Sequence, residues 1–162
     1  MVILYRATNF LLSKLIQKRE YLEIDGLVLP IGEEIAPRFL LELVSDRLNQ
    51  DSENSFWWFP RLIVVERLIV GMISFKNTPD LDGSVEIGYG IVPSQQRRGF
   101  ATYAVNLLVR EAFSRPEIQT IVAYTSVSNL ASQKVLEKNQ FVREGIKIDT
   151  EDGKLLVWRK RR

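Results

Sequence analysis

Apolar residues fall along this chain in two alternating rhythms. In helical stretches they recur every three or four positions. Asn9 to Arg19 places Phe10, Leu11 and Leu15 on one side, with Leu12 and Ile16 at its margin. A longer run starts after Pro30, Gly32 and Glu33-Glu34 and reaches Leu48, with Ile35, Phe39, Leu40, Leu43, Val44 and Leu48 as its inward stripe. Ala101 to Ser114 repeats the rhythm with Phe100, Ala104, Leu107, Leu108 and Ala112. A further helix is expected from a cap at Ser128 or Asn129 through Asn139.

Between these helices the pattern shortens to strand-like runs. Tyr21 to Leu29, interrupted by Asp25-Gly26, reads as one bent strand or a small hairpin. Leu62–Val65 and Leu68–Phe75 flank the two-residue connection Glu66-Arg67, a hairpin. Ser84–Val92, Ile118–Tyr124, Phe141–Ile148 and Lys154–Trp158 complete the set, the last two joined through a turn at Asp149 to Gly153. Helices and strands alternate without an internal repeat or a linker, which predicts one α/β domain over residues 1–162.

Two stretches resist a simple reading. Asn49 to Ser55 is polar and turn-rich, the best candidate for a mobile loop. Phe56-Trp57-Trp58-Phe59-Pro60 is either core packing beside the first sheet strands or a wall of a substrate pocket.

Composition removes whole classes of chemistry. The 162 residues are 46% apolar and 26% charged, with a net charge of +2, so no global field calls for nucleic acid or a membrane surface. The basic cluster Arg159-Lys160-Arg161-Arg162 reads as a solvated tail. Cysteine and histidine are both absent, which excludes disulfides, thiolate nucleophiles, imidazole triads and most zinc chemistry. Catalysis must therefore rest on carboxylates, hydroxyls, amines or backbone dipoles, with no metal expected. No apolar run reaches the roughly 20 residues of a membrane span, and no signal-peptide pattern is present, so a cytoplasmic protein is expected.

The strand Ser84–Val92 carries the first sign of a site. Val85, Ile87, Tyr89 and Ile91 share one face, and Glu86, Gly88, Gly90 and Val92 the other. Two glycines on one face weaken a strand and need a reason, such as close approach of a ligand or another backbone. Glu86 stands on that bare face. Next comes Gln95-Gln96-Arg97-Arg98-Gly99-Phe100-Ala101-Thr102, a basic loop that opens a helix. Free backbone N–H groups, the positive end of a helix dipole and two guanidiniums converge there, a combination suited to a phosphate or pyrophosphate.

Gln96-Arg97-Arg98-Gly99-Phe100-Ala101 fits the Q/R-x-x-G-x-G/A pattern of the GNAT superfamily of acetyl-CoA-dependent N-acetyltransferases. The block Asn129-Leu130-Ala131-Ser132-Gln133-Lys134-Val135-Leu136-Glu137-Lys138-Asn139-Gln140-Phe141 resembles the N-x-x-S-x-x-V-L-E-K-x-G-F block of the same superfamily. It is most similar to the branch that includes the ribosomal-protein N-terminal acetyltransferases. The resemblance covers roughly residues 61–146.

The resemblance implies a GNAT-like, mostly antiparallel sheet flanked by helices. Residues 1–60 would form the substrate side, 61–146 the acetyl-CoA-binding core and 141–158 a C-terminal hairpin. Backbone amides around Arg97, Arg98, Gly99 and Ala101 should hold the CoA pyrophosphate, between Gln96 and Phe100 and with Thr102 at hand. Ile91 and Val92 should pair with the pantetheine arm. Asn129 should hydrogen-bond the cofactor with Ser132 close by, although a plain helix cap would also explain Asn129. Glu86 is the candidate general base, acting through a water, and a backbone N–H near Ile91 the oxyanion donor. Many relatives carry a tyrosine where this chain has Leu136, so that proton donor is absent; Ser132, Tyr124 and Tyr103 are the substitutes for the leaving thiolate, which is only mildly basic and can depart, more slowly, without an acid. Gln140 stands where glycine is usual, which implies an altered turn or local strain. The expected partners are acetyl-CoA and an amine, from a small molecule or a protein N-terminus, with a homodimer left open. A CoA-binding module without turnover is the rival reading, and a nucleic-acid binder using Arg97 and Arg98 a weaker one.

Overall fold

The structure, a computed structural model, describes residues 1–17 and 22–162, and the side chain of Leu22 is left aside. The expectations at residues 18, 19 and 21 lie outside the described residues. Strands β1 (Val2–Arg6), β4 (Arg61–Val65), β5 (Leu68–Phe75), β6 (Ser84–Ile91), β7 (Thr120–Ser126), β8 (Val142–Asp149) and β9 (Gly153–Arg161) form one sheet in the order β1-β4-β5-β6-β7-β9-β8. Asp25-Gly26 does make a hairpin, joining β2 (Leu22–Ile24) to β3 (Leu27–Leu29), and Val28 attaches it to Leu68 of β5. Every pairing along the main path is antiparallel except β6 with β7.

Helices cover both faces. Helix α4 (Phe100–Phe113) buries Ala104, Val105, Leu108, Val109 and Ala112 against Val85, Ile87 and Ile121, and α5 (Leu130–Lys138) adds Leu136 to the same core. On the opposite face α1 (Asn9–Gln17) and α2 (Arg38–Gln50) pack Leu11, Leu12, Leu15, Leu41 and Leu48 against Leu62, Val64, Ile69 and Met72.

The differences from the sequence reading have local causes. Helix α2 begins at Arg38 rather than near Glu33, because Pro37 biases the residue before it away from helical backbone. The Pro37 carbonyl then accepts from the amides of Leu40 and Leu41. Phe10, Phe39 and Leu43 point outward instead of inward, at 59%, 70% and 48% exposure. Strand β1, absent from the expectation, pairs with β4 in the register Val2↔Val65 to Arg6↔Arg61.

The expected mobile loop after Asn49 is tied down. Gln50 ends α2, and Asp51 accepts hydrogen bonds from Asn54 Nδ2 at 2.9 Å and from Trp58 Nε1 at 2.8 Å. Those bonds hold the Asp51 carboxyl below its usual range. The expected basic tail is likewise no tail. Arg159 and Arg161 lie in β9 and pair with Glu144 of β8. Arg162 donates to the carbonyls of Phe113, Arg115 and Ile118 in the turn after α4.

The Phe56–Pro60 cluster divides its work. Trp57 of helix α3 (Ser55–Trp58) is buried against Phe75, with ring centroids 5.0 Å apart. Beside it lies Arg61, only 2% exposed. Its guanidinium lies over the rings of both Phe56 and Phe75 and bonds Glu111 Oε1 at 2.8 Å and the Phe59 carbonyl at 2.6 Å.

Candidate active site

The sheet opens between β6 and β7. Their backbones pair only from Ser84↔Thr120 to Glu86↔Val122, and past Glu86 the two strands part. The phase of β6 follows from two bonds to β5 and its flank: Val92 N–H to Val70 C=O and Lys76 N–H to Glu86 C=O, both 2.9 Å. Antiparallel ladders alternate, so the amides of Tyr89 and Ile91 turn away from β5 and into the opening.

The two glycines of β6 have different reasons to be there. A Cβ on Gly88 would lie 3.2 Å from the Lys76 side chain, whereas one on Gly90 would meet nothing within 4 Å. Gly88 makes room for the Lys76 stem, and Gly90 leaves the groove bare. The close backbone approach foreseen for this strand belongs instead to Gly71 on β5, where a Cβ would sit 2.1 Å from the Gly90 carbonyl oxygen. Glu86 is half-buried at the edge of the opening, ion-paired with Lys76 Nζ at 3.0 Å.

The loop after β6 is fastened by its own side chains. Gln96 Nε2 donates to Ile91 C=O at 3.0 Å, and Arg98 Nη1 to Gln95 Oε1 at 2.5 Å. The Arg98 guanidinium also lies 5.1 Å from the centroid of the Phe100 ring. Arg98 therefore braces the loop, while Arg97 lines the adjoining cavity with Gly99, Ala101 and Thr102. Arg97 and Gly99 both adopt positive φ, 62° and 83°. The first amide of α4 to close onto a carbonyl is Tyr103, on Gly99 C=O at 3.3 Å, which leaves the amides of Phe100, Ala101 and Thr102 without an acceptor inside the helix. These amides face a cavity of about 500 Å³ that runs to Tyr89, Asn129 and Ser132. Val92 belongs to the scaffold rather than to this surface. It is buried, its N–H goes to Val70, and its C=O accepts from Gln95, so its N–H is not available to a ligand arm.

Helix α5 brings the hydroxyls. Asn129 caps it, accepting from Ser132 N–H at 3.0 Å. Ser132 Oγ is 2.8 Å from the Tyr89 hydroxyl, which also donates to the Ser132 carbonyl at 3.2 Å. Burial pushes the Tyr89 phenol up to about 12, partly offset by its bond to Ser132. Alternation along the strand places Tyr89 on one face with Ile87 and Ile91 and gives no sign of a role for its hydroxyl. Only the partner across the gap reveals it. Leu136, one turn beyond Ser132, is fully buried. Of the other two tyrosines considered, Tyr103 is 66% exposed and lies outside these cavities, while Tyr124 sits under Lys147 Nζ at 4.8 Å.

Two further cavities meet at the same point. One of about 450 Å³ holds Glu86, Lys76, Tyr124, Ser126, Lys147 and Asp152 under the β8–β9 hairpin. The other, about 350 Å³ and largely apolar, lies over Gly88 and Gly90 on the α2 face, walled by Leu40, Val44, Trp58 and Met72. Arg47 stacks on Trp58 at its rim, 4.9 Å from the ring centroid. Among the described residues Tyr89 borders all three cavities. No group of three or more acidic, histidine or cysteine side chains among them is placed to hold a metal ion, and no helix is long and apolar enough to cross a membrane.

The acetyltransferase (GNAT) domain family matches residues 32–142, extending upstream of the two motifs to cover α2. The uncharacterized N-acetyltransferase YjdG of Bacillus subtilis is 39% identical over 74 residues, 46% of this chain and 44% of that protein. The ribosomal-protein-serine acetyltransferase of Escherichia coli is 31% identical over 84 residues, 52% and 47% of the two chains. The chain thus spans about half the length of either relative. Among solved structures, RimL, a ribosomal L7/L12 alpha-N-protein acetyltransferase in complex with coenzyme A, superposes with a TM-score of 0.72. That match has 18% identity and covers 99% of this chain and 93% of the other, a likeness of fold.

Proposed function

The chain belongs to the GNAT acetyltransferase family, and on that premise we propose that it transfers the acetyl group of acetyl-CoA to a primary amine by direct attack in a ternary complex. The observation that carries this reading is the opening between β6 and β7. It joins an amide-lined loop on one side to a bare groove on the other, with a carboxylate and a hydroxyl pair at the junction.

The residues present suit acetyl-CoA. The unpartnered amides of Phe100, Ala101 and Thr102, with the Arg97 side chain, offer the donors a pyrophosphate needs. Tyr89 and Ile91 present amides along the opening, where an extended amide-containing arm can pair as a strand would. Asn129 spends its carbonyl oxygen on the helix cap and keeps its amide nitrogen for the ligand. When bound, acetyl-CoA supplies the activated thioester, and the chain's work is to orient it, move the amine's proton and receive charge.

Glu86 takes the proton. Its ion pair with Lys76 occupies one carboxylate oxygen and leaves the other to take the proton through a water. An α-amine near pKa ~8 asks little of this base at neutral pH, whereas a lysine near ~10.4 asks about two units more. The Tyr89 or Ile91 N–H stabilises the oxyanion, and Ser132 meets the sulfur. Residues up to 60, with α2 and Trp58, form the acceptor side. The acceptor is the amine of a protein N-terminus or of a small molecule, a protein acceptor being in line with the name of the Escherichia coli relative.

Incubation with acetyl-CoA and a panel of amines should release CoA, and Glu86→Gln should lose most of that rate at neutral pH while recovering part of it as alkali frees the amine. Full activity of Glu86→Gln at every pH would remove Glu86 from the mechanism. The Glu86–Lys76 pair and the buried Leu136 also favour a second reading, a CoA-binding module with little turnover. A thermal upshift with CoA but no CoA release with any amine would establish it.

A further inference from the structure

The groove on the α2 face has apolar walls, and the charges that border it are of one sign. Resting on the acetyl-transfer reading above, we propose that the acceptor is a small primary amine whose apolar body lies in this groove and ends in a carboxylate, received by Arg47. Arg47, held over the face of Trp58, is the residue that sets the choice of acceptor.

The groove, about 350 Å³, lies over Gly88 and Gly90 between Leu40, Val44, Trp58 and Met72, and reaches Tyr89 at the opening between β6 and β7. That size is at the lower end for a small-molecule site. At its inner end Lys76 borders the groove and holds Glu86 at 3.0 Å in the adjoining cavity. Among the described residues the groove is lined by two cations, Arg47 and Lys76, and by no carboxylate.

The two cations differ in what they have left to give. Lys76 is answered by Glu86, whereas Arg47 has no ion pair and no side-chain hydrogen bond among the described residues, only its stack on Trp58 at 4.9 Å. The acids near it on the chain are engaged or turned elsewhere. Glu42 pairs with Arg38 at 2.8 Å, and Asp51 accepts from Trp58 Nε1 at 2.8 Å and from Asn54, while Asp46 does not line the groove. The Asp51 bond fixes the indole, so the guanidinium rests on a set ring face with its N–H fork unspent. A carboxylate accepts two such N–H groups side by side. The polar cavity beyond Glu86 sets no comparable preference. Its Lys147, Asp149 and Asp152 carry both signs, and Asp149 is spent on the amides of Glu151 and Asp152.

The transfer step is unchanged by this choice. The amine nitrogen bonds the acetyl carbon, and the carbon–sulfur bond breaks with its electron pair on sulfur. The nitrogen's proton leaves through water to Glu86, and the thiolate takes a proton from solvent. What the groove decides is which amine stays long enough to react. An exposed ion pair at the rim favours a carboxylate-ended amine by about two- to fivefold, and a second ammonium there is disfavoured by a similar factor. Acid over diamine is then about tenfold.

Three amines of similar length test this on the intact protein: 6-aminohexanoate, hexylamine and 1,6-diaminohexane, assayed by CoA release. The expected order of kcat/KM is acid, then neutral amine, then diamine, with the differences in KM and shrinking at high salt. Arg47→Met should bring the acid level with hexylamine, Arg47→Glu should invert acid and diamine, and Arg47→Lys should keep the original order. A flat order or a preference for the diamine in the wild-type protein would overturn the proposal, as would an order left unchanged by Arg47→Glu. Calorimetric titration of the CoA complex with the same amines separates the two readings. If no amine is acetylated but the Arg47-dependent order of binding holds, the transfer reading fails and the groove assignment stands. Acetylation without that order leaves transfer standing and removes the role of Arg47.

Discussion

Gln140 offers a test of whether the family's turn chemistry persists when its usual residue does not. Helix α5 ends with Phe141 N–H on the Leu136 carbonyl at 3.0 Å and Gln140 N–H on the Glu137 carbonyl at 2.9 Å, the two bonds of a Schellman ending. That geometry requires a left-handed residue in the position just past the cap, and Gln140 fills it with φ 62°. For a residue with a Cβ the left-handed region costs roughly 1–2 kcal/mol. Glycine removes that cost but returns about 0.5–1 kcal/mol through its greater freedom in the unfolded chain. The side chain's own bond, from Lys160 Nζ to Oε1 at 3.2 Å, is exposed and adds little. Gln140→Gly should therefore stabilise the protein by about 1 kcal/mol, which in a chain of this size raises Tm by about 2–4 °C. Gln140→Ala retains the Cβ and loses only the exposed bond, so it should melt at or slightly below the wild type. Scanning calorimetry or denaturant titration of the three proteins separates these outcomes. If Gln140→Gly melts no higher than Gln140→Ala, the strain argument is wrong.

Two other perturbations read other parts of the fold. Gly71→Ala drives a Cβ into the Gly90 carbonyl and should cost about 1–3 kcal/mol by denaturant midpoint, whereas Gly90→Ala should fold normally, within about 0.5 kcal/mol, yet weaken CoA or acceptor binding by calorimetry. Arg161 and Arg159 hold the Glu144 carboxyl down at about 2, against an ordinary value of 4.5. A depressed carboxylate contributes stability above its unfolded pKa and loses it as pH falls toward the folded one. Glu144→Gln should thus be less stable than the wild type at pH 7, with the gap closing between about 4.5 and 2, followed by denaturation across that range.

How far the sequence foretold this structure depends on whether the relevant information was local. The loop from Gln96 to Thr102 and the capped helix after Asn129 are continuous segments whose backbone needs are written in neighbouring residues, and both formed as expected. Arg159 to Arg162 looked like a solvated run because its partners are remote: Glu144 on the next strand, and three carbonyls in a turn almost fifty residues earlier. Pro37 was a local signal, outweighed in the reading by the helical spacing that continued upstream of it. Tyr89 could not be separated from Ile87 and Ile91 by alternation, because its significance lies in a hydroxyl 2.8 Å away on a helix that follows some forty positions later. Asp51 hid the order of its loop in the same way, through an indole that sequence shows only as one more aromatic.

The parting of β6 from β7 also bears on how the molecule holds together. Among the described residues, the backbone ladder between the strands β1 to β6 and the block β7-β9-β8 is three residue pairs, with the Gly83 carbonyl accepting from Gln119 and Thr120 at its foot. What unites them otherwise is the shared core under α4, where Val85 and Ile87 meet Ile121 and Leu156. Such a seam is strong against shear through its packed side and thin along its hydrogen-bonded side. A ligand arm lying in the gap would act as a missing strand, converting two partly independent plates into one. Its occupancy would then be felt in amide exchange on both plates at once, far from any atom it touches.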